Sequence, residues 1–163
     1  MEVLLALSTL LAPGDDGSLQ RDIALAFNQP ALYLQQHPET EERDVDANDP
    51  SLPWLALVDG LLTRHVAAEI DHRSDVADVN WNLSQLRSYA LLSGNTRHWL
   101  ETAKMEGTEK ILRALAPHAK KDGLVVATMD IDSDSYVILI LSKPDYEQAT
   151  KLAAKLGYSL KHI

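Results

Sequence analysis

The sequence contains no cysteine among its 163 residues. This absence excludes disulfide bonds, thiol nucleophiles and every zinc site that needs a cysteine ligand. The seven glycines are dispersed, and neither a glycine-rich phosphate-binding motif nor the G-x-S-x-G motif of hydrolases occurs. No histidines have the H-E-x-x-H spacing of a metalloprotease. Carboxylates and histidines are therefore the candidate reactive groups that are left, and we predict no cofactor.

Lysine is absent from the first half of the chain. Through Asn82 the sequence has four arginines and fifteen acidic residues, whereas the rest is close to neutral and the whole chain has a net charge of −9. A strongly acidic surface repels phosphate, so we do not expect a nucleic acid as the main partner. Such a surface attracts a basic protein, although acidic surfaces also serve solubility alone.

Long apolar segments are missing as well. No run approaches the roughly 20 residues that a membrane-spanning helix needs, so we expect no membrane partner. Residues 1–12 are rich in leucine, valine and alanine, but Glu2 stands where a secretory signal carries basic residues. The pattern instead predicts an amphipathic first helix and a cytoplasmic location. The sequence as a whole does not indicate an oligomeric state.

Composition and periodicity predict a single domain of the α+β class. Hydrophobic residues make up 45% of the chain, which suffices for a core without disulfides or a structural metal. Two apolar runs, 124–129 and 136–141, flank a polar turn and predict an antiparallel hairpin. We expect a helical N-terminal half packed on a small, mainly antiparallel four-stranded sheet, with strands near residues 66–70, 124–130, 135–141 and 158–161.

The domain divides into a helical N-terminal region 1–36, an acidic linker 37–50 and an α+β core 51–163. The linker holds six acidic residues and one arginine and has few apolar side chains to bury, which is typical of a solvated segment. The candidate residues for binding a basic partner are the linker acids Glu39, Glu41, Glu42, Asp44 and Asp46, together with Trp99 if it is exposed.

Local patterns predict individual helix ends and core side chains. Hydroxyl residues that precede apolar runs predict helix caps at Ser18, Ser51, Ser74, Thr108 and Ser142. The helix that contains Pro117 is expected to end there, because proline removes a backbone donor. The three tryptophans lie within apolar patterns and are predicted mainly in the core: Trp54, Trp81 and Trp99.

Asp130, Asp132 and Asp134 form the most concentrated group of candidate metal ligands. A calcium-binding loop needs glycine at its sixth position and glutamate at its twelfth, but Ser135 and Leu141 stand there. The pattern of phosphatases of the haloacid dehalogenase type also fails, because Asp134 stands where those enzymes need Thr or Val. A plain hairpin turn, weak metal binding and catalysis are the alternative interpretations of the cluster.

A second group of candidate metal ligands lies on the first predicted strand. His65, Glu69 and Asp71 share one face of it, because side chains alternate along a strand. The two carboxylates would be about 6.6 Å apart, close enough to share a water or a metal ion. The same alternation is typical of the polar half of an ordinary strand. The group becomes a stronger candidate if the turn with Asp130 folds beside it.

The chain from Trp54 onward resembles a known family. The residues that carry the resemblance are Ala68 to Asp71 with Trp81 following, Asp130 with Ser133 to Leu139, and the closing stretch Ala153 to Tyr158. The family comprises small bacterial α/β proteins described only as a domain of unknown function, and the resemblance covers about residues 52–163. It implies a fold and a bacterial origin but no catalytic residues, and the first fifty residues lie outside it.

Three classes of function are compatible with these patterns. The first is a non-enzymatic module that binds another protein, for example an immunity-type inhibitor whose acidic surface masks a basic toxin. The second is a metal-assisted hydrolase or phosphate-handling enzyme that uses the Asp130, Asp132 and Asp134 cluster. The third is a regulatory domain that binds a small molecule, which the sequence neither supports nor excludes. The first class is favoured because catalytic motifs are absent and the N-terminal half is acidic.

Overall fold

The computed structural model describes residues 1–41 and 43–163. Helices occupy most of the first 63 residues, and three of the four strands follow residue 123. The helices are α1 (Glu2–Leu11), α2 (Ser18–Asn28), α3 (Pro30–Gln36), α4 (Pro38–Glu41), α5 (Leu52–Thr63), α6 (Val76–Ser84), α7 (Gly94–Thr102), α8 (Thr108–Lys121) and α9 (Lys143–Lys155), with a 3-10 helix at Arg87–Leu91. The strands are β1 (Ala68–Asp71), β2 (Leu124–Met129), β3 (Ser135–Ser142) and β4 (Leu160–His162).

The sheet has the strand order β1-β3-β2-β4, and every neighbouring pair is antiparallel. β2 and β3 form the central hairpin, and β1 and β4 lie on the two edges. In the pairing of β1 with β3, Glu69 lies opposite Val137 and Asp71 lies opposite Ser135. The polar end of β1 is therefore brought beside the turn that joins β2 to β3.

Helices cover both faces of this sheet. α1, α2, α5 and α9 contribute to the hydrophobic core on one face, and α6, α7 and α8 contribute to the core on the other. In β3, Val137 and Leu139 belong to the first core, whereas Ile138 and Ile140 belong to the second. Because side chains alternate across a strand, burial on both faces requires apolar residues at consecutive positions. This explains the continuous apolar runs in the sequence.

The predicted α+β class, with N-terminal helices and a four-stranded antiparallel sheet, is confirmed. β1 begins two residues later than predicted, because the chain first turns at His65, which has a positive φ of 55°.

The prediction that a helix ends at Pro117 is wrong, because α8 continues to Lys121. Pro117 is exposed, so the Arg113 carbonyl that loses its backbone donor can be hydrated instead.

Some of the predicted helix caps are wrong. Ser142 does cap α9, where its Oγ accepts a hydrogen bond from the Asp145 N–H. Nearby aspartates replace the hydroxyl groups at two other helices. At α2 the carboxylate of Asp15 accepts the Leu19 N–H, and at α6 the cap is Asp75. Aspartate and serine cap helices about equally well, so the sequence spacing does not tell which of two neighbouring residues will be the cap. The two predicted hydroxyl caps that aspartates replace are Ser18 and Ser74. At α8 the N-cap residue is Gly107 and not the predicted Thr108.

Trp81 is not part of the core, contrary to its prediction. Helix α6 buries Val76, Val79 and Leu83, and Trp81 lies on the opposite side with 65% of its surface exposed. Trp54 is buried as predicted, with 1% exposed.

None of the described helices combines the length and the apolar composition needed to cross a bilayer.

Candidate functional site

A cleft lies where the loop 43–51 meets the turn between β2 and β3. It has a volume of about 540 Å³. Four carboxylates line it, and among the described lining residues the single base is Arg43. The acids come from three separate parts of the chain: Asp44 and Asp49 from the loop, Glu69 from β1 and Asp132 from the turn. We call this the acidic cleft.

Arg43 holds the loop against the body of the domain. Its Nε and Nη2 donate to Asp59 Oδ1 at 3.0 and 2.7 Å, and its Nη1 and Nη2 donate to the Glu69 carboxylate at 3.3 and 2.7 Å. Burial alone would lower the pKa of Arg43, but the hydrogen bonds with Glu69 and Asp59 raise it above its ordinary value. The guanidinium therefore stays charged and bridges α5 to β1.

The residues before Arg43 are docked as well. Thr40 is fully buried, and its hydroxyl donates to Asp59 Oδ2 at 2.9 Å. It also lies 3.4 Å from the hydroxyl of the buried Tyr33. Burial, together with the nearby Asp59 carboxylate, raises the pKa of Tyr33 to about 12. These contacts differ from the solvated linker predicted for residues 37–50, because the segment carries two side chains that bind Asp59.

The acids that line the cleft differ in whether a basic side chain neutralises them. Within the described part of the chain, Glu69 pairs with Arg43, whereas Asp44, Asp49 and Asp132 lie in no ion pair with a lysine or arginine. A hydrogen bond from the Ser51 hydroxyl lowers the pKa of Asp49. The cleft thus presents uncompensated negative charge to solvent.

A second cleft of about 420 Å³ continues from the first. The two share the residues Asp49, Ser51, Leu55, Ile131 and Asp132, so together they form one groove. Trp54 and Tyr158 also line the second cleft, and their rings are stacked with centroids 4.2 Å apart and planes 1° apart. We call this part the aromatic cleft.

The base of the β2–β3 turn is fixed from two sides. Trp54 Nε1 donates to the Asp130 carbonyl at 2.8 Å, so the buried indole ties α5 to the turn. Lys161 Nζ donates to Asp130 Oδ2 at 3.1 Å, and this bond lowers the pKa of Asp130. Asp130 is therefore ionised and already paired with a cation of the same chain, while Asp132 at the tip is exposed with a positive φ of 52°.

One family model matches almost the whole chain, including every residue that lines the groove. That model is described as a domain of unknown function (DUF6630), and it matches residues 3–163. The chain belongs to this family. The match confirms the resemblance and extends it, because the expectation that the first fifty residues lie outside the family is wrong. No curated protein and no solved structure matches the chain.

The DUF6630 fold brings Asp71 of the second predicted group beside the turn that carries the first group, but it does not gather the two groups into one cluster. Asp71 lies opposite Ser135, next to the β2–β3 turn, whereas His65 lies before β1 in the turn that follows α5. Among the described residues, no three His, Asp or Glu side chains form a group that could hold a metal ion. Two of the candidates bind internal cations instead: Glu69 pairs with Arg43, and Asp130 pairs with Lys161.

The predicted partner-binding residues of the DUF6630 chain are dispersed. Asp44 lines the acidic cleft and Asp46 is exposed on the adjacent loop, whereas Glu39 lies 3.2 Å from His37. Trp99 is half-buried and stacked on His118, with ring centroids 4.9 Å apart. Glu42 lies outside the described residues, and so does the side chain of Glu41.

Sequence reasoning missed three residues that shape the groove in the DUF6630 fold. In the sequence Arg43 is the single base of the linker, and its isolation among six acids is the signal that could have marked it as an ion-pair centre. Asp49 belongs to the same acidic run. Tyr158 falls in the predicted closing strand, and no local pattern connects it with Trp54, which is 104 positions earlier.

Proposed function

We propose that the protein is a non-enzymatic module that binds a basic segment of another protein in the acidic groove. The observation that carries this proposal is the meeting of carboxylates from residues 44–49 and from Asp132 around one groove, where the lining arginine is already paired. Carboxylates without a cation partner repel each other, and a lysine or arginine from a partner would relieve that repulsion.

The shape of the groove also suits a chain rather than an ion. Its two parts together offer several hundred cubic ångströms, far more than one hydrated cation needs. Its apolar wall includes Leu55 and Ile131, against which the methylene stem of a lysine or arginine can pack. The acidic N-terminal half would further steer a basic partner toward this surface at low ionic strength.

One concrete form of the proposal is an immunity-type inhibitor that masks a basic toxin in the bacterial cytoplasm. Such a pair needs fast association, which complementary charge provides. An affinity isolation at low salt that recovers no basic protein would count against this form.

The test uses a synthetic peptide of alternating glycine and arginine, titrated into the full chain by isothermal calorimetry. The binding-site variant carries Asp44→Asn and Asp132→Asn. Asparagine tolerates the positive φ that both positions have, so the backbone is preserved while two charges are removed. The control variant carries Asp78→Asn and Glu101→Gln, which make the same charge change at exposed positions on α6 and α7.

We expect the peptide to bind at low salt and its affinity to fall about tenfold in the binding-site variant, against about twofold or less in the control. An affinity that falls equally in both variants would mean that only net charge matters and would reject the groove. The absence of saturable binding at low salt would reject the proposal itself.

A further inference from the structure

The aromatic cleft has a chemistry of its own within the groove. Tyr158 is half-buried, and its ring is stacked on the fully packed indole of Trp54. The indole cannot turn away, because its Nε1 donates to the Asp130 carbonyl at 2.8 Å. The aromatic surface is therefore held in place before any ligand arrives, and binding would cost little ordering of side chains.

Charge and aromatic surface coincide at this end of the groove. Asp49 and Asp132 line the aromatic cleft without a lysine or arginine partner among the described residues, whereas Asp130 is offset by Lys161. Burial and the Asp49 carboxylate both raise the pKa of Tyr158, so the phenol stays neutral at physiological pH. A neutral aromatic ring beside carboxylates attracts cations through the ring quadrupole and through ordinary electrostatic attraction.

Among biological cations, the guanidinium group fits this combination best. It is planar and weakly hydrated, it stacks on aromatic rings, and its fork of N–H donors matches a carboxylate. The ammonium of lysine is more strongly hydrated and offers no planar face. The cleft volume of about 420 Å³ accommodates a whole arginine side chain.

We propose that the aromatic cleft is a subsite for an arginine side chain, in which the guanidinium stacks on Tyr158 and donates to Asp132 or Asp49. This inference rests on the proposed function, because the arginine belongs to the basic segment that the groove binds. It adds a specificity that the acidic cleft alone does not give, namely a preference for arginine over lysine.

The first experiment compares two peptides of the same length and charge on the unmodified protein. One alternates glycine with arginine and the other alternates glycine with lysine, and both affinities are measured by calorimetry at low salt. We expect the arginine peptide to bind about fivefold tighter, the factor that corresponds to a moderate cation–π contact. Equal affinities would overturn the subsite and need no variant to interpret.

The second experiment replaces the ring. Tyr158→Phe keeps the aromatic face and should retain the arginine preference, whereas Tyr158→Leu should bring the two peptides to equal affinity. Thermal unfolding and far-ultraviolet circular dichroism establish that each variant is folded, since the ring also packs on Trp54. An arginine preference that survives Tyr158→Leu would overturn the assignment.

The two proposals fail in different ways. If both peptides bind equally and both lose affinity in the variant with Asp44→Asn and Asp132→Asn, the basic-segment function stands and the arginine subsite is rejected. If neither peptide binds, both proposals are rejected. If the arginine peptide alone depends on Tyr158, both are supported.

Discussion

Arg43 and Glu69 are 26 positions apart in the sequence and are joined by two hydrogen bonds, of 2.7 and 3.3 Å, between the guanidinium and the carboxylate. The same guanidinium also binds Asp59. One arginine thus fastens an acidic loop to both a helix and an edge strand. Arg43 and Glu69 also line the acidic cleft, so the shape of the cleft depends on their ion pair. Because these two charges neutralise each other, the pair adds no free charge to the cleft.

Replacing Arg43 tests the strength of this bridge. We expect Arg43→Met to lower the free energy of unfolding by about 2–3 kcal/mol, because Asp59 and Glu69 would be left partly buried without a cation. Arg43→Lys should recover only part of the loss, since an ammonium cannot make the forked contacts. Urea denaturation at neutral pH measures the differences.

The matched control for Arg43 is Arg113→Met. Arg113 pairs with Glu109 at 2.7 Å, the same distance as the shortest Arg43 contact, but both side chains of this pair are more than half exposed. Arg113→Met should therefore lower the free energy of unfolding by less than about 0.5 kcal/mol. Similar losses in the two variants would contradict a special role for the Arg43 bridge.

Asp15 should make the stability depend on pH in the acid range. Burial alone would raise its pKa, but hydrogen bonds from Arg64 and from the Leu19 N–H lower it to about 2, below the ordinary value of 3.8. A lowered pKa in the folded state means that Asp15 contributes its full stabilisation above pH 3.8 and loses it as the pH falls toward 2.

The variant Asp15→Asn isolates this contribution. At neutral pH we expect it to be less stable than the wild type by about 1–3 kcal/mol, because Arg64 loses a charged acceptor. The gap between the free energies of unfolding of the two proteins should narrow as the pH falls from about 3.8 toward about 2. Thermal unfolding across that range measures it, and a gap that stays constant with pH would refute the assignment.

Gly60 marks a close approach between α2 and α5. A Cβ atom at this position would overlap the Cδ1 atom of Leu19, which is fully buried. Gly60→Ala should therefore lower the free energy of unfolding by about 1–2 kcal/mol, although alanine is the better helix former by about 1 kcal/mol. At Gly94 in α7 a Cβ would meet no atom within 4 Å, so Gly94→Ala should be neutral or slightly stabilising. Stabilisation of both variants would show that α2 moves aside freely.

The metal-assisted hydrolase predicted as the alternative function has a direct test. Isothermal calorimetry with Mg²⁺, Mn²⁺ and Ca²⁺ should give no saturable heat, because Asp130 and Glu69 are already paired with Lys161 and Arg43. A saturable heat that disappears in a variant with Asp132→Asn and Asp134→Asn would instead revive the metal hypothesis. A chelator-treated sample provides the baseline.

The fold could be predicted from the sequence to the extent that it depends on local periodicity. The apolar runs around 124–129 and 136–141 predicted the central hairpin, which the structure has as β2 and β3. Helix caps were less predictable, since Asp15 and Asp75 compete with neighbouring serines for the same backbone donors.

The groove could be predicted only in part. The acids of residues 44–49 and of the β2–β3 turn are visible in the sequence, but their meeting depends on the pairing of β1 with β3 and on the Arg43 bridge. Likewise, the stack of Trp54 on Tyr158 joins residues that no local pattern relates. Tertiary contacts of this kind carry no signal in a single sequence.

The position of the β2–β3 hairpin also determines when the domain can assemble during synthesis. Both hydrophobic cores pack against this hairpin, yet its strands lie at residues 124–142. The ribosome therefore releases α1, α2 and α5 before the hairpin that completes their core exists, an interval of several seconds at ordinary elongation rates of about 5–20 residues per second. We therefore expect folding of the complete domain to end late in synthesis, once β3 has left the ribosome.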